Sequence, residues 1–186
     1  KGALPDPDQY YAGWVGVTPS IIFRYGEALL NYAEAKAELG DLTQADVDKS
    51  INLLRARVNM PDLVLSEIED DPNWLFPDLD PEINEVRRER HIELAVEGYR
   101  WNDLMRWRAH HIFINQRPKG AMFIPDLYPE LTIGSSVFVD ENGYVDPYQT
   151  ALPNGYQFDP GRDYLAPIAT EQLTLNENLV QNPGWD

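Results

Sequence analysis

The chain contains no cysteine. That absence excludes disulfide staples, a thiolate nucleophile, and zinc or iron–sulfur sites built on sulfur. No run of about 18 apolar residues occurs, so no segment reads as a membrane-spanning helix. No G-x-G-x-x-G, Walker A or G-x-S-x-G pattern occurs either, which leaves nucleotide cradles and the hydrolase nucleophile elbow without support. Positive charge is scarce: 15 Lys and Arg stand against 31 Asp and Glu, a formal net charge of −16. Lys and Arg supply most of the affinity for a phosphate backbone, so nucleic acid is not an expected partner. The opening "KGALPDPDQYY" lacks the charged-then-apolar layout of a signal peptide, and the expectation is a processed chain or an internal fragment.

What is present suffices for a folded protein. The chain has 186 residues, 43% of them hydrophobic and 11% aromatic, enough for one domain with a real core. Three regions are expected: an extended lead-in over 1–20, a helical part over 21–108, and a loop- and hairpin-rich part over 109–186. In the helical part, "IIFRYGEALLNYAEAKAELG" is rich in Ala, Leu and Glu and sets Leu30, Ala33 and Ala37 at helical spacing, with Gly40 as the stop. Thr43 then caps a second helix, with Asp46 three residues on and Val47, Ile51, Leu54 and Val58 along one face. So short a connection makes the two helices antiparallel neighbours, like one tetratricopeptide-type unit, although no second copy follows at a period of about 34 residues.

The stretch 61–81 is acidic and punctuated by proline, a surface loop carrying Trp74. A helix is expected from Pro81 to Glu97, broken at Gly98, with a short one over Arg100 to Trp107. Beyond Ala109 the texture turns to short β-like runs, and Asn142-Gly143 marks a hairpin. Asp140, Asn142 and Asp146 have the flavour of a calcium loop, but the glycine comes too early and no glutamate closes it, so a plain hairpin is preferred. His110 and His111 are adjacent and diverge on a helix, which argues against a metal site.

At about 100° per residue, Ile83, Val86, Arg90, Leu94 and Glu97 share one helical face, with Glu93 on its flank. A charge on an apolar face survives only if paired. Arg90, Glu93 and Glu97 are therefore expected to form a buried structural ion network. Carboxylates neutralised by arginine are poor general acids, so a glycosidase reading rests only on acidic content. Ligand contacts are sought among loop aromatics, whose rings stack on the apolar face of a pyranose. The candidates are Tyr10, Tyr11 and Trp14 in the lead-in, Trp74 in the acidic loop, and Tyr148 and Tyr156 after the hairpin. Each is also a candidate for packing within its own domain, and Trp101 and Trp107 are expected in the core.

The segment "RRERHIELAVEGYRWNDLMRW" resembles the C-terminal signature of the RagB/SusD family. "RYGEALLNYAEAKAELG", "INLLRARVNMP" and "YLAPIATEQLTLNENLVQNPGW" resemble three further family segments, in the family's order and across nearly the whole chain. The resemblance implies a mainly α, SusD-like fold of tetratricopeptide-like helical pairs with irregular loops and a small β-hairpin. It further implies the C-terminal portion of a lipid-anchored outer-membrane protein exposed at the cell surface. Such proteins have no catalytic residues and no cofactor. They bind nutrient glycans, sometimes peptides, and sit as a lid on a SusC-like TonB-dependent transporter. The implied partners are thus an oligosaccharide or other nutrient, that transporter, and the N-terminal half of the same protein, where most known family ligand residues lie. The alternative is a tetratricopeptide-like scaffold that binds a protein partner without touching sugar.

Overall fold

A computed structural model describes residues 21–185. The fold is mainly helical, and it divides between Glu97 and Gly98 into two compact units.

The first unit holds α1 (Tyr25–Glu38), α2 (Gln44–Asp48), α3 (Ile51–Arg57) and α4 (Pro81–Glu93). Leu30, Ala33, Val47, Ile51 and Val86 are sealed from solvent at their centre. The local signals around the first turn are realised in full. Gly40 takes φ +71°, its N–H bonds to the Ala37 carbonyl, and the Asp41 N–H reaches back to Lys36. These are the paired bonds that close a helix on a left-handed glycine. Thr43 and Asp46 then form a reciprocal capping box at the start of α2.

The expected second helix is broken into α2 and α3. At the break the buried Ser50 hydroxyl donates to the Asp46 carbonyl at 2.5 Å, a back-bond that competes with the helical ladder and bends the chain. Val58, expected on the buried face, is about half exposed. The third helix is also shorter than expected, ending at Glu93 instead of Glu97. The Glu93 carbonyl, which would accept the Glu97 N–H in a continuing helix, accepts the Arg24 guanidinium. Glu97 bonds instead to the Leu94 carbonyl, and Val96 is turned out at φ +60°.

The second unit starts with α5 (Arg100–Arg106), passes through turns and loops, and carries α6 (Thr170–Leu175) near its end. The expected β-hairpin does not appear as paired strands. Gly143 makes the turn at φ +87°, but the antiparallel pairing beside it stops at the single bridge of Val139 with Val145. The physical reason lies in the neighbours. The Asp140 and Asp146 N–H groups donate to the Tyr144 and Phe138 carbonyls, but the next residue is Pro147, which has no N–H to extend the ladder, and the Val137 carbonyl is taken by Gly134.

Candidate functional site

The arginine–glutamate helix α4 is a clamp, and its wiring runs between helices. Arg90 and Glu34 of α1 are both about 95% buried, with Nε and Oε2 3.7 Å apart, and Arg90 Nη1 donates to Asn31 Oδ1 at 2.7 Å. Arg87 pairs with Glu38 at 2.8 Å and lays its guanidinium over the Phe76 ring, 4.4 Å from the centroid. Arg55 of α3 donates to Glu89, and Arg88 to Glu85. The cation that joins Glu93 to Glu97 is Arg24, and Arg57 reaches Glu93 as well, at 2.7 Å. The expected trio is thus split between two anchors: Arg90 of α4 pairs with Glu34 of α1, and Arg24, just before α1, holds Glu93 and Glu97 at the end of α4. Glu97 is off the helix and partly solvated. Carboxylates engaged in this way join helices.

Two clefts remain. In the first unit a polar cleft of about 490 Å³ is lined by Arg55, Glu85 and Arg88 and by the acidic loop from Asp62 to Pro72. Trp74 stands beside it, half-buried, donating from Nε1 to Asp70 Oδ1 at 3.2 Å while Arg88 stacks on its ring at 5.1 Å.

In the second unit an apolar cleft of about 400 Å³ is lined by Trp101, Leu104, Phe113, Tyr156, Gln157 and Phe158. Trp101 and Leu104 sit one turn apart on α5. Trp101 tilts against Phe113 at 5.6 Å, and Phe113 meets Phe158 edge-on at 5.5 Å. Phe158 is backed by His110 and Tyr164, whose Nδ1 and hydroxyl lie 2.7 Å apart. Tyr156 is placed by its backbone: its carbonyl accepts the Asn115 N–H at 2.8 Å and its N–H donates to the Gln116 carbonyl at 2.9 Å. Trp101, expected in the core, is 56% exposed, and Tyr156 is 42% exposed. Of the lining residues the sequence offered only Tyr156 as a contact; Trp101 was expected in the core, and Leu104, Phe113, Gln157 and Phe158 carried no signal that set them apart. The i, i+3 pairing of Trp101 with Leu104 reads the same for a cleft wall as for a core.

Tyr148 is exposed on the loop that follows Asp146. Asp146 is fully buried between Arg117 and Lys119, each 2.6 Å away, and Arg117 also donates to the Leu152 and Pro153 carbonyls. Lys119 is shared with Asp140 at 3.3 Å, so two of the supposed calcium ligands hold a lysine. Tyr10, Tyr11 and Trp14 lie outside the described residues.

Arg117 first and Lys119 second hold the Asp146 carboxyl far below the ordinary carboxylate range. Because the folded-state value is depressed, the stabilisation is present above the unfolded value of about 3.9 and is lost as pH falls toward the folded one. Asp46 follows the same sign, lowered chiefly by the Tyr32 hydroxyl and then by Thr43 and Lys49. Asp146→Asn is therefore expected to lower the urea midpoint clearly at pH 7, with the gap to the parent chain narrowing between about pH 5 and pH 3. A gap of constant size across that range would show that the charge of Asp146 contributes nothing.

The chain is thus mainly helical, with a cross-helix arginine–glutamate clamp in the first unit and exposed aromatic rings in the second. The chain belongs to the SusD family, whose profile matches residues 5–185. Among curated relatives it is similar to SusD-like protein P2 of Formosa agariphila, 31% identical over 182 residues, covering 94% of this chain and 29% of the relative. It is also similar to SusD-like protein P38 of the same organism, 37% identical over 98 residues, covering 50% of this chain and 19% of that relative. The chain therefore spans less than a third of the length of these relatives. No solved structure matches it significantly.

Proposed function

We propose that the chain is part of a cell-surface protein that captures nutrient glycan without cleaving it and delivers it to a SusC-like TonB-dependent transporter in the outer membrane. The observation that carries this reading is membership of the SusD family over residues 5–185. The geometry supports it in two ways. Glu85, Glu89 and Glu93 of α4 are committed to arginines, and aromatic ring faces stand open on the second unit. Tyr156 is the foremost of the loop aromatics as a sugar contact, since it lines a cleft, with Tyr148 and Trp74 behind it.

A glycan array probed with the full-length protein tests this reading. Retention of at least one polysaccharide class is the expected result. Retention of no glycan, together with tight binding of a protein ligand, would replace the reading with the helical-scaffold alternative. Because the chain spans 29% of one relative's length, the site is expected to be composite. In titration calorimetry the 186-residue chain should then bind the selected glycan more weakly than the full-length protein does. Equal affinities would place the whole site within these residues.

A further inference from the structure

We propose that the apolar cleft of the second unit is a subsite for a neutral sugar residue, stacked on Trp101 and Tyr156 and selected against uronates and sulfated sugars. The proposal rests on the glycan-capture reading and adds the class of sugar and the residues that choose it.

The cleft has the size and make-up of a small-ligand site: about 400 Å³, five apolar or aromatic side chains and one amide. Its two most open rings are Trp101 and Tyr156, at 56% and 42% exposure. A pyranose has a face of C–H groups that can lie on such a ring, with its hydroxyls directed outward to water. The tilt of 46° between Trp101 and Phe113 makes this wall a shallow notch that fits a ring edge as well as a ring face. Gln157 supplies the polar handle. Its Nε2 is already committed, donating to the Asn154 carbonyl at 2.9 Å and to Asn115 Oδ1 at 3.1 Å. Those bonds fix the amide, and its Oε1, unbonded among the described residues, can accept a sugar hydroxyl.

Selection follows from charge. The described residues that line the cleft carry none, and the chain as a whole is at −16. A carboxylate or sulfate placed there finds no cation in the lining and has no proton to donate to Gln157 Oε1, whereas a neutral hydroxyl can make that bond. The same lack of charge disfavours a basic peptide, which would leave its cations without carboxylates.

The test is a titration of the full-length protein with neutral hexasaccharides of glucose, galactose, mannose and xylose, and with hexagalacturonate. At least one neutral probe is expected to bind, and hexagalacturonate to bind at least about tenfold more weakly. Trp101→Ala should lower the neutral affinity about tenfold or more while Trp101→Tyr, which keeps a stacking face, restores most of it. The exposure of Trp101 makes misfolding of the alanine variant unexpected, and an unchanged melting temperature checks this. If glycan binds but Trp101→Ala leaves its affinity untouched, the cleft is not the subsite, although glycan capture stands. Unchanged affinity with a lowered melting temperature would show that the remainder of the protein covers the cleft, which also overturns the proposal. Tighter binding of hexagalacturonate through Trp101 overturns the neutral class. Binding of none of these probes, nor of any glycan on the array, defeats the glycan reading itself.

Discussion

Replacing Arg90 by leucine is expected to lower the stability of the first unit by about 3–5 kcal/mol, because a buried carboxylate is left without its cation. Glu34 is 4% exposed and sits on α1 facing α4, so it cannot turn to water without unpacking the helix pair. Asn31 loses a 2.7 Å donor in the same change. The double variant Arg90→Leu, Glu34→Leu should recover much of the loss, since replacing both members of a buried pair with apolar groups is often neutral or stabilising. Urea melts of the parent, the two single variants and the double variant measure the coupling directly. A loss below about 1 kcal/mol for Arg90→Leu would mean that the pair behaves as a solvated one.

Gly155→Ala should be almost as damaging, at about 3 kcal/mol, combining the cost of a left-handed backbone with overpacking. Gly155 is buried at φ +69°, and an added Cβ would lie 2.3 Å from the Asn115 carbonyl carbon and 2.6 Å from both the Asn115 oxygen and the Gln116 nitrogen. These are backbone atoms, which cannot swing aside as a side-chain tip can. The strands of contact they belong to hold Tyr156 at the cleft, so the variant should also lose ligand affinity wherever Tyr156 contributes. Gly134→Ala is the internal control. Its φ is +84° with nothing within 4 Å of the added Cβ, so it carries only the left-handed cost of about 1–2 kcal/mol. Thermal melts that rank the two variants equally would refute the steric part of this prediction.

The elements that were legible in the sequence are those whose causes are local. Gly40 with its two back-reaching bonds and the Thr43–Asp46 box each involve residues within five positions of one another, and spacing alone predicts them. The same holds for the turn at Asn142-Gly143, although a turn does not guarantee strands, and the pairing stops at Pro147. The burial of Arg90 followed from helical periodicity. Its partners did not, because Glu34 and Asn31 lie 56 and 59 positions away and nothing in the local pattern points to them. Arg24 is the sharper case. One guanidinium 69 residues upstream takes the Glu93 carbonyl and ends α4 four residues early, moving Glu97 off the face where periodicity put it. Among the candidate contacts, Tyr156 reached a cleft while Trp74 packs against Arg88 and Asp70. Trp101 was expected in the core; its open cleft depends on Phe113 and Phe158, which lie 12 and 57 positions further along the chain.

The most direct measurement follows binding and bond cleavage in one sample. The full-length protein is incubated with the polysaccharide class selected on the array, bound glycan is measured by affinity, and new reducing ends are counted over the same hours. Capture without catalysis predicts saturable binding with reducing ends no higher than in the protein-free control. Accumulating reducing ends, or the absence of saturable binding, would contradict it.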